Sequence, residues 1–341
     1  MRRFNTLLLY LLLCVVAIAA TKGKWVNPYV QQIIMFVGIN IILSTSLNLI
    51  NGYMGEFSVG HAGFMAVGAY ITSVLNVWLF TSTTLFGPAV LSSSSAIYLF
   101  PVTLLIGGVG AAIVGLLVAI PSFRTRGDYL AIITLAVNYI VKSSIENLQV
   151  IGGARGFMGM SGIVSAMQDA VNLPWIMIWV LAAVGGTIWV LHRFVNSTYG
   201  KGIVAIRDDE IAAEIMSVNT QRMKVVAFMV SSGLAGIAGG LFAHILGYIN
   251  PGTFTIMKST EVLVMVYLGG MGSLSGSIIS AVSLTLILEL FRPLQVAKWV
   301  VVPLLLILLM LFRPEGIMGH RELTDVFPRL RRIFAPNGKE G

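Results

Sequence analysis

Eight long apolar runs restrict what this chain can fold into. They cover residues 29–50, 57–80, 97–120, 129–148, 173–191, 225–249, 273–290 and 297–312. A helix needs about 20 mostly apolar residues to cross the hydrocarbon core of a bilayer. The apolar residues are continuous within each run and do not alternate as they do in a membrane β-barrel. The sequence therefore predicts an all-α polytopic integral membrane protein.

Composition excludes the other common classes. Charged residues make up 11% of the 341 residues, against about a quarter in ordinary soluble domains. The single Cys14 cannot form an internal disulfide, which excludes a disulfide-stapled secreted domain. The net charge of +8 indicates orientation in a bilayer, because the sequence offers no face rich in Arg and Lys that would bind nucleic acid.

Two shorter segments bring the count to about ten transmembrane or re-entrant helices. Residues 7–20 follow Arg2 and Arg3 and are either a retained first span, which we favour, or a cleaved signal peptide. Residues 258–268 are too short to span with ordinary tilt. They either cross or re-enter the membrane before a glycine-rich stretch.

Charge predicts the orientation of these helices. With both termini in the cytoplasm, Lys and Arg are about twice as frequent in the cytoplasmic parts as in the outer parts. An even number of crossings then places both basic termini on the same side. We expect one transmembrane domain over residues 1–320 and a basic cytoplasmic tail over residues 321–341.

A polar stretch on the predicted cytoplasmic side, residues 196–222, contains a short amphipathic helix. Three acidic residues suit its first turn, where the helix dipole favours negative charge: Asp208, Asp209 and Glu210. Apolar residues follow at helical spacing: Ile211, Ile215 and Val218. Ala212 and Ala213 offer a flat surface that a partner could approach closely. The alternative is a helix that lies on lipid.

Small residues at a spacing of four indicate close helix packing in two places. The two sets are Ser232, Gly236 and Gly240, and Gly272, Gly276 and Ser280. We expect packing inside one subunit, with a subunit interface as the alternative for one set.

Ionisable residues in apolar runs are functional candidates, because burying charge in a membrane is costly. Three carboxylates qualify: Glu56, Glu261 and Glu289. Glu56 lies in a glycine-rich segment that approaches a helix, and a second such segment echoes its glycine spacing. The two segments supply the candidates for a translocation path: Gly55, Glu56, Ser58, His61, Gly63, Gly269, Gly270 and Gly272. We expect no metal site, since no second His or Cys lies at ligand spacing from His61.

Catalytic signatures do not occur in the sequence. No Gly-x-x-x-x-Gly-Lys-[Ser/Thr] loop is present to cradle phosphates, so we expect no ATP hydrolysis by this chain. A nucleophile elbow and the His-Glu-x-x-His pattern are also missing.

Several longer motifs resemble the permease subunits of branched-chain amino acid ABC importers, LivM type, and the related urea permeases share much of the pattern. These motifs are residues 52–70, 124–131, 152–156, 205–219, 267–273 and 312–316. The resemblance covers about residues 30–320.

The resemblance implies a non-catalytic subunit of a bacterial inner-membrane importer that works by alternating access. Its partners would be a second homologous permease, two cytoplasmic ATPases that carry ATP and Mg, and an extracytoplasmic substrate-binding protein. The residues that would couple to an ATPase are Arg207, Asp208, Asp209, Glu210, Ala212, Ala213, Glu214 and Asn219.

Two departures from the family pattern leave questions open. Ser217 stands where the coupling motif usually has glycine, and Glu56 stands where many relatives carry glutamine. A carboxylate at position 56 either alters selectivity or lies at the interface. A different class of function, an ion-coupled secondary transporter, would use Glu56, Glu261 or Glu289 as its ion site.

Overall fold

The computed structural model describes residues 14–15, 17–19, 21–23, 26–81, 87–92, 95–123, 129–171, 173–292, 298–312 and 316–319. Within these ranges the structure gives bounds for twelve α-helices. They are α1 (Pro28–Asn48), α2 (His61–Phe80), α3 (Ala96–Ser122), α4 (Tyr129–Asn147), α5 (Met160–Ala170), α6 (Trp175–Val195), α7 (Thr198–Asp208), α8 (Glu210–Ile215), α9 (Thr220–Leu246), α10 (Ile256–Gly269), α11 (Leu274–Leu290) and α12 (Lys298–Phe312).

Six of these helices are long and apolar enough to cross a membrane: α1 with its extension, α2, α3, α4, α6 and α9. The predicted all-α membrane class is confirmed, while α10, α11 and α12 are shorter than a standard span. Most of residues 7–20, the Arg124 to Asp128 stretch, residues 313–315 and the tail 321–341 lie outside the described residues.

Two predicted spans have different starts in the structure. The run 57–80 becomes helical only at His61, because the glycine-rich residues before it are extended. The run 225–249 begins earlier, at Thr220, because the Asn219 side chain caps the helix by accepting a hydrogen bond from the backbone N–H of Arg222 at 2.9 Å. Helix α1 is extended by a π-helical turn, Leu49–Tyr53.

Helix α9 forms the centre of the molecule and packs against α1, α2 and α3. Gly68 on α2 lies against the backbone of Gly236, and Gly115 on α3 lies against the side chain of Ser232. A methyl group at Gly68 or at Gly115 would therefore collide with α9. Gly240 meets Leu104 and Thr72 in the same way. These contacts of the first set of small residues lie within the chain.

The second small-residue set packs α10 against α11. Gly269 and Gly276 place their backbones against each other, and the Ser280 hydroxyl donates to the carbonyl oxygen of Met265. These contacts are again internal to the chain. Helix α10 and the start of α11 thus form one compact unit around the glycine turn that joins them.

A short antiparallel ribbon lies at the far end of α9 from α8. Its strands are β1 (Phe157–Met158) and β2 (Tyr248–Ile249), and Phe157 pairs with Ile249. The 27 residues of α9 extend about 40 Å at 1.5 Å per residue. The ribbon and α8 therefore lie at opposite ends of α9.

Candidate functional site

The polar segment 196–222 folds into two helices, not into the single helix predicted over Asp208 to Val218. Asp208 ends α7, and Asp209 is extended with φ −161° and ψ 110°. The Asp209 carboxylate accepts hydrogen bonds from the backbone N–H groups of Ile211 (2.9 Å) and Ala212 (3.0 Å). Asp209 is thus the N-cap of α8, and the capping bond favours a break between the two helices.

Helix α8 ends in a tight turn whose backbone is left-handed. Ser217 has φ 63°, while the N–H of Ser217 bonds the carbonyl of Glu214 at 2.9 Å and that of Val218 bonds Ala213 at 3.0 Å. This is the pattern of a Schellman motif, whose left-handed residue is usually glycine. The Glu214 carboxylate then accepts a hydrogen bond from the Thr220 hydroxyl at 3.1 Å, which fixes α8 against the start of α9.

The apolar stripe of α8 faces away from the rest of the chain. Ile211 is 66% exposed and Ile215 is 77% exposed, and Met216 beside them is exposed as well. Ala213, expected to offer a flat docking surface with Ala212, is instead buried against the chain, whereas Ala212 is exposed. A short helix with an outward apolar face has burial available only through lipid or another protein.

The two glycine-rich segments, matched only faintly in sequence, contact each other in the fold. Gly52 lies against the backbone nitrogen of Gly272 and against the side chain of Asn48, and this spot admits no Cβ. We call the contact of segment 52–55 with segment 269–272 the glycine junction.

The side chain of Asn48 holds the glycine junction together. Its Nδ2 donates to the carbonyl of Ser273 (2.9 Å) and to the hydroxyl of Ser277 (2.8 Å). Its Oδ1 accepts from the N–H of Gly272 at 2.9 Å. Three hydrogen bonds from one buried amide fix the end of α1 to the turn before α11.

Arg207 connects α7 to the same junction. Its Nη1 donates to the carbonyl of Gly52 at 3.4 Å, and its aliphatic stem covers Gly55, which has φ 76°. Nη2 also pairs with Asp208 at 2.9 Å. The polar segment therefore rests directly on the glycine-rich segment.

Lys224 makes a second connection between these parts. Its ammonium lies 2.7 Å from Glu56 Oε1 and 2.8 Å from Glu210 Oε1, and its side chain is only 8% exposed. The ring of Phe123 lies 5.8 Å from the same nitrogen. Because Glu56 precedes α2 and Glu210 begins α8, one cation joins the glycine-rich segment to the amphipathic helix.

Other path candidates pack near the start of α2. The backbone N–H of Ser58 donates to Asn51 Oδ1 at 3.3 Å, and His61 Nε2 lies 2.9 Å from the Ser46 hydroxyl. Gly63 approaches the backbone of Asn138 on α4. His61 is thus a buried, hydrogen-bonded core histidine.

The turn after α10 packs against the turn 316–319. Gly270 in this turn has φ 113° and lies against Gly316. The N–H groups of Ile317 and Met318 bond the carbonyls of Leu268 (2.9 Å) and Gly269 (3.2 Å). The turn 316–319 therefore satisfies carbonyl groups that the end of α10 leaves free.

All three membrane carboxylates have a cationic partner. Glu56 binds Lys224, Glu261 binds Lys258 at 3.2 Å and Glu289 binds Arg292 at 3.0 Å. Each of the three carboxylates therefore has a counter-charge from the chain itself. In the part of the chain that the structure describes, no group of three His, Cys, Asp or Glu residues is placed to hold a metal.

The sequence did not identify Lys224 or Asn48 as site residues. Lys224 immediately precedes the apolar run 225–249, so the sequence predicts a lysine outside the span. Asn48 lies in an apolar run. A polar amide in such a run needs hydrogen-bond partners inside the protein, and this requirement could have identified Asn48 from the sequence.

Comparison with known proteins finds a matching family model and several similar proteins. Residues 29–312 match the family model for a branched-chain amino acid transport system permease component. The high-affinity branched-chain amino acid transport system permease protein LivM of Escherichia coli is 31% identical over 306 residues, covering 82% of this chain and 68% of the relative. A probable LivM permease of Methanocaldococcus jannaschii is 22% identical over 91% of this chain and 99% of its own length. The LivH permease of Salmonella typhimurium is 24% identical over 87% of this chain and 98% of its own. No solved structure matches the chain.

Proposed function

Because this chain belongs to the family of branched-chain amino acid transport permease components, we propose that it is one half of the membrane pathway of an ATP-driven importer. Two cytoplasmic ATPases, which bind ATP and Mg, would drive it together with a second homologous permease. A substrate-binding protein would deliver the solute from the outer side. The chain itself is a non-catalytic transport subunit.

The observation that carries the proposal is the exposed apolar face of α8. Ile211 and Ile215 project from a helix that is fixed at both ends, by Asp209 at its start and by the turn at Ser217. A rigid, outward apolar face is suited to a protein groove. In this proposal a partner ATPase supplies the groove. Asp208 and Glu214 of this chain form the polar rim of the contact.

Movement of α8 would reach the membrane part through two contacts. Lys224 joins Glu210 to Glu56, and Arg207 joins α7 to Gly52. A displacement of α8 by the ATPases would therefore act on the glycine junction. We propose that this junction opens and closes the path during alternating access.

The proposed topology has about ten transmembrane or re-entrant helices, with both termini in the cytoplasm and the protein in the bacterial inner membrane. Helices α10, α11 and α12 then serve as short crossings or re-entrant segments beside the six long helices. The α8 end of α9 faces the cytoplasm, and the β1–β2 ribbon faces outward.

Branched-chain amino acids are the proposed substrate, since the family description and the relatives' names specify them. The test is uptake of radiolabelled leucine by proteoliposomes that hold the full set of subunits, with and without internal ATP. We expect uptake only with ATP and all partners. Uptake by the lone chain down an ion gradient would contradict the proposal, and ATP-driven urea uptake without leucine uptake would change the substrate.

The docking face is tested by Ile215→Glu, with Ile215→Leu as the matched control. We expect the glutamate variant to lose co-purification with the ATPases and ATP-driven uptake, because it places a charge in an apolar contact. The leucine variant retains both. Equal ATPase binding by the two variants would show that α8 does not dock through this face.

A further inference from the structure

A cavity of about 540 Å³ lies between α1, α9, α10, α11 and α12, away from the α8 site. Its volume is in the range of about 300–1,000 Å³ of small-molecule sites. Arg292 on its lining is 63% exposed, whereas Asn40 is only 5% exposed. The cavity thus runs from an exposed charged mouth to a buried polar floor.

The floor carries a chain of hydrogen bonds centred on a lysine. Lys258 Nζ donates to Asn40 Oδ1 (3.3 Å) and to Glu261 Oε2 (3.2 Å). Asn40 Nδ2 in turn donates to the Thr285 hydroxyl at 2.9 Å. An ammonium has three donor hydrogens, and the described residues take two of those of Lys258. The third is available to an anionic group in the cavity.

A second ion pair lies at the mouth. Arg292 Nη1 donates to Glu289 Oε1 at 3.0 Å, and Glu289 also accepts from the Tyr29 hydroxyl. With Lys258 and Glu261, the described lining therefore holds two positive and two negative charges. A ligand with a net charge would leave the occupied site with an unbalanced charge, while a zwitterion keeps it neutral and finds a partner for each of its charges.

The remaining wall is mostly apolar. The rings of Phe36 and Phe242 lie 5.9 Å apart, and Ile39, Leu288, Met257 and Pro303 lie beside them. Thr260 is the polar exception, and its hydroxyl donates to the carbonyl of Ile256 at 2.9 Å. This surface suits an aliphatic side chain. A small uncharged polar solute such as urea would leave both the apolar wall and the ion pairs without a complementary group.

We propose that this cavity binds a neutral α-amino acid with an aliphatic side chain, in its zwitterionic form, within one permease subunit. The ligand carboxylate binds Lys258, its ammonium binds Glu261 or Glu289, and its side chain lies against Phe36, Phe242 and Leu288. The inference rests on the proposed function for its substrate class, and it adds a binding site on this chain.

Equilibrium binding of tritiated leucine to the purified full-length chain in lipid nanodiscs tests the site without transport. We expect saturable binding that leucine and valine displace and that urea, aspartate and lysine do not. Lys258→Gln should weaken it about 10- to 100-fold, since a charged hydrogen bond is lost. The matched control is Lys142→Gln, which breaks a Lys142–Glu146 pair on α4 (3.6 Å) and should leave binding unchanged.

A second variant guards against misfolding of the first. Leu288→Trp keeps all four charges and fills the cavity, so it should abolish binding while gel-filtration behaviour stays that of the wild type. Absence of leucine binding to the wild-type chain, or binding unaffected by both cavity variants, would overturn the inference. ATP-driven leucine uptake by the wild-type complex would then still support the proposed function, so the two failures are distinguishable.

Discussion

Ser217 has the only left-handed backbone among the described non-glycine residues, with φ 63°. This conformation costs a residue with a Cβ about 1–2 kcal/mol. We expect Ser217→Gly to raise the free energy of unfolding by about 1 kcal/mol, because glycine adopts the turn without that strain. Thermal unfolding of the purified chain measures it.

The control for this change is Ser197→Ala. Ser197 caps α7 by accepting a hydrogen bond from the N–H of Gly200 at 3.3 Å, and loss of such a cap costs about 1 kcal/mol. The two variants should therefore shift the unfolding midpoint in opposite directions. A lower midpoint for Ser217→Gly would contradict the argument from strain.

Gly52 illustrates the opposite case, a glycine required by close approach. A methyl group there would meet both Asn48 and the backbone of Gly272. We expect Gly52→Ala to destabilise the protein by about 1–3 kcal/mol, as overpacking does. Gly186→Ala on α6 is the control, since nothing lies within 4 Å of its position. Similar membrane yields and unfolding midpoints for the two variants would refute a tight glycine junction.

Sequence reasoning identified Glu56 at the residue scale but not its partner. A carboxylate in an apolar run is conspicuous, because the cost of burying it demands a reason. Lys224 was inconspicuous, since a lysine at the end of a span normally reaches water. Its burial depends on the fold around it, with Phe123 and two glutamates supplied by distant segments.

At the scale of elements, α8 is fixed to the membrane helices through Lys224. We expect Lys224→Met to lower ATP-driven uptake by about 5- to 150-fold, the usual size of coupling between two sites. ATP hydrolysis by the assembled complex should continue, because the docking face is unchanged. Hydrolysis and uptake are measured in the same proteoliposomes.

Two further substitutions separate coupling from folding. Lys224→Arg keeps a cation between Glu56 and Glu210 and should restore part of the uptake. Lys142→Met removes a lysine from an ion pair on α4 and should have little effect. An uptake rate for Lys224→Met equal to that of Lys142→Met would eliminate Lys224 as a link.

The long helices could be predicted from the sequence because lipid requires continuous apolar runs. The break between α7 and α8 could not, because it depends on which acidic residue caps. By charge alone, each of the three consecutive acidic residues suits the first turn of a helix. The extended backbone of Asp209 identifies it as the N-cap. Local competition between side chain and backbone decides such boundaries.

At the scale of the whole molecule, α9 separates two exposed residues at opposite ends. Ile215 lies at the α8 end, and Met158 lies on the ribbon beside β2. In a Cys14→Ala background, we expect Met158→Cys to react with an impermeant maleimide on intact cells. In cells that lack the partner ATPases, which would cover this face, Ile215→Cys should react only after permeabilisation.

This labelling pattern tests the proposed orientation and whether the number of crossings between the two positions is odd. Reaction of both cysteines in intact cells would place both ends of α9 on one side and refute the topology. The reverse pattern would invert the protein. The charge distribution of the sequence is sufficient to predict the orientation. The contact between the two glycine-rich segments could be seen only in the fold, because the segments are far apart in the chain.

The three hydrogen bonds of Asn48 also constrain how the protein is made. Gly272, one of its partners, follows it by 224 residues. A ribosome adding about 5–20 residues per second needs roughly 10–45 s to synthesise that stretch. During this interval α1 carries an amide whose native partners do not yet exist. Completion of the membrane part is therefore a late event, and a ribosome stalled before Gly272 leaves the Asn48 amide without its three native partners.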